Sequence, residues 1–475
     1  MNGSAASRAT AILLRALREA VVTVLATAGA AAASQWAQSG AASAVLGAVL
    51  ALSLARSHLA AERRGWLEAL ALLPVVSLAA MGVGLLLREW PWPGAAVFTA
   101  VVAASSWIRR FGPLAQRLGR LVTLPFVTLL VVPPLPRPAG PLAPVMALVA
   151  PVAIALMALA CVLVAQRVGR LLGWLPATTP AAAPAPPASA PGTLRPSAPV
   201  RLALQMGVAL AVAFAVGLLA FPTHWRWLVL TALLVNTGSI GRFDVVRRGA
   251  LRVGGAAGGT VLAMAIAGHA AGGAGTVAAL ILACVFVGVF LRPLGYGWWV
   301  LCITLALALL QQLQPAAAPL LLWQRLGEIA IGAVISIAAA ALVFPIPSLD
   351  ILRKRVAGAL AAMSDALDPQ AAERHPETIA GAMILVRQMR PVFRAHRLAR
   401  PSSVARPADW IDTLLACEAP VLALVERGQA PGAVRKAVGA ARKAMREPVE
   451  IGPALGMLRE ALEAAGRHRE DSPAA

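Results

Sequence analysis

Arg325 and Glu328 stand three residues apart inside an apolar stretch that opens at Trp323. On a helix that spacing puts a guanidinium and a carboxylate on one face, where each can compensate the other's charge. Ionisable side chains are costly to keep within hydrocarbon, so the pair is a candidate for solute binding or coupling as well as for structure. Upstream, Arg252 opens the run Arg252-Val-Gly-Gly-Ala-Ala-Gly-Gly-Thr260. Its glycines repeat at four, Gly254 with Gly258 and Gly255 with Gly259, which lays a flat ridge along a helix and lets a second backbone come close. Thr231, Asn236, Gln311, Gln312 and Gln314 are further polar groups able to face a solute path. Arg325, Glu328, Arg252, Thr231 and Asn236 are thus the expected substrate or coupling residues, and the four glycines are expected to pack helices. Glu19 and Glu68 lie near a span end, where a carboxylate reaches water.

Other chemistries lack their residues. The lysines are Lys354, Lys436 and Lys443, and none closes a Gly-x-x-x-x-Gly-Lys-Ser/Thr run, so no P-loop is expected. The six histidines are scattered, and Cys161, Cys284, Cys302 and Cys417 have neither metal nor redox spacing. No catalytic residue, metal or cofactor is expected, and the chain does not read as an enzyme.

The elements that must position these residues follow from composition. Of 475 residues 59% are hydrophobic and 13% charged, with a mean hydropathy of +0.75. A soluble domain carries roughly 25% charged residues. Residues 1–346 hold six acids, Glu19, Glu62, Glu68, Glu89, Asp244 and Glu328, and the other fifteen follow. The first part therefore belongs in a lipid bilayer and the last in water. The net charge of +21 is dispersed in short arginine clusters between apolar runs. A nucleic-acid footprint would need it gathered on one soluble face, so no nucleic-acid partner is expected.

At about 20 apolar residues per crossing, the sequence predicts spans near 17–34, 42–57, 66–87, 94–108, 119–135, 143–166, 201–220, 225–241, 251–268, 275–291, 298–314 and 323–344. With the N-terminus inside, nineteen arginines fall on the cytoplasmic side and four (Arg88, Arg137, Arg226 and Arg325) on the other, as the positive-inside rule requires. Eleven of twelve tryptophans lie at or near span ends. Both termini are expected in the cytoplasm, in the inner or cytoplasmic membrane. The first span has the look of a signal peptide, but an equivalent helix opens the second half, so it reads as a retained span.

The fold class expected is all-α: a polytopic membrane protein of about twelve helices in two parallel six-helix repeats, followed by a cytoplasmic helical domain. The boundaries are 1–175 for the first block, 176–199 for a Pro/Ala-rich cytoplasmic linker, 200–346 for the second block and 347–475 for the tail. Trp36 to Arg63-Arg64-Gly65 in the first half parallels Trp225 to Arg247-Arg248-Gly249 in the second. Transporters built from repeats place the substrate site at the repeat interface. In the tail, helices are expected near 350–366, 377–397, 408–427, 432–445 and 450–466, broken by Pro376, Pro401, Pro407 and Pro431.

Three segments of the second block resemble the FUSC family, the fusaric-acid-resistance and aromatic-acid-exporter group related to plant malate channels. Trp227-Leu-Val-Leu-Thr231 is similar to its Trp-x-x-x-Thr span opening. Arg248, then Arg252-Val-Gly-Gly255 and Gly259, are similar to its Arg-x-x-Gly-Thr-x-x-Gly helix start. Arg325-Leu-Gly-Glu328-Ile-Ala-Ile-Gly332, closing at Phe344-Pro345, is similar to its Arg-x-x-acid-x-x-x-Gly last span. Gly332 joins the packing glycines on this likeness. Ala256 departs from it, standing where the family usually has Thr. The resemblance implies secondary export of small organic, often aromatic, acids, so the partners expected are the bilayer and a small organic anion. A homo-oligomer or an accessory efflux partner stays open. A major-facilitator-type transporter, with Glu62-Arg63-Arg64-Gly65 and Gly241-Arg242-Phe-Asp244 in its motif loops, is the alternative. An organic-anion channel and a membrane scaffold that moves nothing also stay open.

Overall fold

Proline and the Ala/Leu-rich apolar runs set the elements between them. Pro91, Pro113, Pro319, Pro376, Pro407 and Pro448 each stand at the start of a helix, where the missing N–H has no intrahelical partner to lose and the fixed φ suits the first turn. The computed structural model describes residues 2–38, 41–57, 63–131, 143–175, 198–267, 274–312, 319–370, 374–399 and 406–470. Gln314, Glu62 and linker residues 176–197 lie outside them, as do the side chains of Gln311 and Gln312. Among the described residues every regular element is helical.

Each apolar segment carries a helix: α1 (Asn2–Gln38), α2 (Ala41–Ser57), α3 (Arg63–Glu89), α4 (Pro91–Trp107), α5 (Pro113–Val131), α6 (Ala143–Leu171), α7 (Ala198–Ala220), α8 (Arg226–Asn236), α9 (Arg242–Ala267), α10 (Ala274–Phe290), α11 (Tyr296–Gln312) and α12 (Pro319–Leu342). Seven of them, α1, α3, α5, α6, α7, α9 and α12, are long and apolar enough to cross a membrane. Their outward faces stay apolar at mid-length, with Val75, Val164 and Val334 each more than 60% exposed, which suits lipid and not water. Trp36, Trp90, Trp92, Trp298 and Trp323 are exposed at helix ends, as interfacial tryptophans are. The protein is a multi-pass membrane protein. Pro74, Pro125 and Pro151 sit inside α3, α5 and α6, a placement that membrane helices tolerate because neighbours re-satisfy the freed carbonyl.

The eighth span differs from expectation. A crossing over 225–241 gives way to an eleven-residue helix, about 16 Å long at 1.5 Å per residue. Thr237 leaves helical geometry and Gly238 takes a φ of 70°, a left-handed turn that glycine adopts without strain.

The chain divides into two compact units. The first holds α1–α8, α9 from Arg248 onward, and α10–α12, and the second holds 239–247 with 345 onward. Within the first unit the early and late helices share their cores. Val76, Phe98 and Phe126 of α3, α4 and α5 pack with Phe214 of α7 and Leu228–Leu233 of α8. Ala20 and Leu52 of α1 and α2 pack with Val285 and Val300 of α10 and α11.

The second unit contains α13 (Ser348–Ala366), α14 (Pro376–Arg387), α15 (Arg390–Ala399), α16 (Pro407–Ala416), α17 (Glu418–Glu426), α18 (Gly432–Ala444) and α19 (Pro448–Glu470). They enclose one core that includes Leu360, Met383, Phe393, Trp410 and Leu458. The expected helices at 377–397 and 408–427 are each broken in two. Pro391 and Pro420 supply the reason: a proline ring clashes with the carbonyl four residues back and withholds a donor, so a helix ends and a new one starts just before each.

Candidate functional site

Among the described residues the fully buried charged side chains are Asp244, Arg252, Arg325 and Glu328. Asp244 belongs to the second unit, where its carboxylate accepts a hydrogen bond from the Ile240 N–H at 3.1 Å and pairs with Arg247 at 3.9 Å. The other three lie in the first unit, exposed by 2%, 3% and 1% respectively. Their depth follows from the helical rise of 1.5 Å per residue. Arg252 stands about 6 Å beyond Arg248, where α9 enters the first unit, and about 22 Å from the end of the helix. Glu328 stands about 14 Å into α12 with about 21 Å to run. Both side chains are buried all the same.

Close helix contacts bring the three together. A Cβ added to Gly332 of α12 would lie 2.5 Å from the Leu228 carbonyl oxygen and 3.0 Å from Thr231 Cβ of α8. That backbone contact sets Trp227 against α12, and the Arg325 guanidinium carbon lies 3.7 Å from the Trp227 ring centroid, a cation–π geometry. On α9, a Cβ on Gly249 would meet Ile337 Cδ1 at 3.1 Å and Ala333 Cβ at 3.6 Å of α12. Arg252 and Glu328 both act electrostatically on Arg325, and Tyr296 at the start of α11 acts on Arg252. Arg325 is thus within electrostatic reach of both Arg252 and Glu328.

In this group Thr231 Oγ1, Arg252 Nε and Glu328 Oε2 have no hydrogen-bond partner among the described residues; Thr304 Oγ1, beside Gly259, and others such as Ser34 Oγ and Ser77 Oγ share that state. Buried polar groups are normally paired, so the three in this group leave hydrogen-bonding capacity unused.

Each candidate residue has a definite place. Arg325 lies over Trp227, Thr231 stands beside Gly332 of α12, and Arg252 and Glu328 act electrostatically on Arg325. Asn236 stands at the end of α8, where its amide donates to the Ala232 carbonyl at 2.9 Å. Of the glycines, Gly255 faces Val300 and Gly297 of α11, and Gly259 faces the Leu301 carbonyl, each with an atom within 3.0 Å of an added Cβ. Gly258 meets Leu301 Cδ1 at 3.2 Å, whereas Gly254 has open space and contributes no close approach. Glu19 and Glu68 have arginine partners, Arg15 at 3.2 Å and Arg117 at 3.9 Å.

Two participants carry no expected role in the sequence: Trp227 appears there only as part of a span opening, and Tyr296 in no motif. Arg248 has a clear structural part. Its guanidinium donates to the carbonyls of Thr237 at 3.0 Å and Gly238 at 2.9 Å, where a short helix leaves its last acceptors open and its dipole favours a cation.

No group of three or more His, Cys, Asp or Glu side chains able to hold a metal occurs among the described residues. The four cysteines are free thiols.

Residues 206–339 match the family model described as fusaric acid resistance protein-like, so this stretch carries that domain. It contains Thr231, Asn236, Arg252, Arg325 and Glu328, together with the three segments of likeness except the closing Phe344-Pro345. No curated protein and no solved structure matches the chain.

Proposed function

We propose that this membrane protein of transporter type is a secondary exporter of small organic anions, binding its cargo at Arg252 and Arg325. The observation that carries the reading is the pair of buried cations beside a single carboxylate, deep in the matched domain. Burying a charge in low dielectric costs several kcal/mol, and an anion held between the two guanidiniums would lower that cost. The reading has the helices of both halves in the bilayer as twelve elements, with both termini in the cytoplasm of an inner membrane. Four of the five shorter helices have seventeen residues, the lower end of what spans a bilayer. The half-length α8 resembles the discontinuous helices that transporters use at their binding sites. The order of lengths supports a repeat, since α2, α4 and α5 and then α8, α10 and α11 are the short members of each six.

Efflux from cells loaded with a panel of organic acids tests this. Overproduction should lower the intracellular level of at least one acid, and Arg252→Gln should abolish that effect while leaving membrane abundance intact. Faster accumulation of every acid tested would instead favour a channel or an importer. Unchanged levels of all of them would favour a scaffold.

A further inference from the structure

We propose that the turn joining α4 to α5 is a binding site for an anionic phospholipid, whose phosphate is received by Arg109, Arg110 and Arg120 and whose acyl chains lie along Trp107, Phe111 and Leu114.

The two helices touch at this turn. A Cβ added to Gly119 of α5 would strike the Ser105 carbonyl oxygen of α4, and would lie 3.1 Å from Arg109 Cγ and 3.2 Å from Arg109 Nε. Arg109 therefore lies across the helix contact, against the residue that precedes Arg120. One of its terminal nitrogens donates to the Gly119 carbonyl at 3.4 Å, which is long for such a bond. Its Nε is out of solvent and has no hydrogen-bond partner among the described residues. Arg120 donates from Nε to the Gln116 carbonyl of its own helix at 3.3 Å. The Arg110 guanidinium lies over two rings, 4.2 Å from the Trp107 centroid and 4.5 Å from that of Phe111. Among the described residues no carboxylate pairs with any of these three arginines; Glu68 of α3 pairs with Arg117 instead, at 3.9 Å. Because α4 ends where α5 begins, their dipoles oppose, and the field at the turn is that of the side chains.

The surroundings decide which anion fits. α5 is long and apolar enough to cross a membrane and starts at this turn, which sets the arginines at the level of lipid headgroups. Trp107, Ile108, Phe111 and Leu114 are between 37% and 59% exposed. A soluble anion would satisfy the guanidiniums and leave those four side chains bare. A phospholipid covers both: its phosphate matches the guanidinium fork, and its chains cover the apolar apron. The headgroup must be anionic overall, because a zwitterionic one brings its own cation to the phosphate. Bound there, one molecule ties the end of α4 to the start of α5. It thereby supports the Phe98–Phe126 contact further along the same helices, 5.3 Å between ring centroids.

The test uses the full chain purified in detergent, with dioleoyl phosphatidylglycerol, dioleoyl phosphatidylcholine and inorganic phosphate added separately. Phosphatidylglycerol should raise the melting midpoint by several degrees at saturation, as a ligand selective for the folded state does, and the other two should not. Arg109→Gln should raise the phosphatidylglycerol concentration required by about tenfold, the worth of one charge-assisted hydrogen bond. Arg167 is exposed on α6, and Arg167→Gln removes the same charge away from the turn, so the response should stay unchanged. Should Arg109→Gln fold poorly, Arg110→Gln/Arg120→Gln alters two exposed side chains and should weaken the response at least as much. Equal stabilisation by both lipids, or by inorganic phosphate alone, overturns the lipid site. So does a lack of response to all three additions, a full response in the turn variants, or an equal loss at Arg167→Gln.

Discussion

Replacing Gly332 with alanine should separate α8 from α12 and disable the cluster, whereas the same change at Gly254 should be harmless. The Cβ introduced by Gly332→Ala would begin 2.5 Å from the Leu228 carbonyl oxygen, where ordinary contact starts near 3.4 Å. The two backbones must therefore part by about 0.9 Å. Neither atom is the end of a flexible side chain, so the strain falls on helix positions, and overpacking of this kind costs about 1–3 kcal/mol. The displacement also carries Trp227 away from Arg325, now 3.7 Å from ring centroid to guanidinium, and forfeits a contact of about 1 kcal/mol. Gly254 has nothing within 4 Å of an added Cβ, and alanine there gains up to about 1 kcal/mol of helix propensity. Melting of the two purified variants in detergent, alongside efflux in cells, compares them directly. Gly332→Ala should melt several degrees below wild type with little efflux, and Gly254→Ala should match or exceed wild type. Identical behaviour of the two variants would refute the assignment of a backbone contact to Gly332.

Arg325→Leu should lower membrane abundance by stranding Glu328, since breaking a buried pair costs about 3–5 kcal/mol. Arg325→Leu/Glu328→Leu should restore abundance without efflux, and full efflux in the double variant would end the functional claim for the pair. Reporter fusions after Arg201, Arg252 and Ala475 should read as cytoplasmic and those at Trp92 and Pro315 as external; a cytoplasmic Trp92 would sink the twelve-element topology. In the second unit, burial pushes the Asp412 carboxyl up, but hydrogen bonds from Arg390 at 2.7 Å and Arg394 at 3.2 Å outweigh it and hold it below the ordinary range. A depressed folded value contributes stability above the unfolded pKa of about 3.9 that is lost as pH falls through the folded one. The melting gap between wild type and Asp412→Asn should thus be present at pH 6 and shrink as pH falls below about 3.9, and a gap that widens in acid would contradict the pairing. The side chains are largely exposed, so the gap should stay within about 1 kcal/mol.

Helices in this chain were legible because length and apolarity suffice to specify them in lipid, where the backbone has no other way to satisfy its polar groups. The cluster was half legible. Arg325, Glu328 and Arg252 stand out as charges among apolar residues, and one-dimensional spacing links the first two. Nothing in the spacing says that Arg252 of α9 reaches the same centre, because that depends on Gly332 and Gly249 allowing three helices to close. The length of α8 was misjudged for a related reason. Residues 237–241 are as compatible with a crossing as their neighbours in hydropathy, and the stop comes from the turn at Gly238 and the grip of Arg248 on two carbonyls. The split tail helices were readable in principle from Pro391 and Pro420, whose neighbours supply enough apolar periodicity to disguise a break.

The shared cores of the first unit bear on how the chain is made. Phe98 and Phe126 pack on Phe214 and Leu228, and Ala20 on Val300, so these early helices are synthesised before their partners exist. At about 5–20 residues per second, synthesis from residue 175 to 344 takes on the order of 10–30 s. Throughout that interval the faces of α3, α4 and α5 that will meet α7 and α8 have only lipid or an assembly factor to cover them. The ribosome therefore sets a waiting time for the early half, and the late helices end it by docking between elements already in the bilayer.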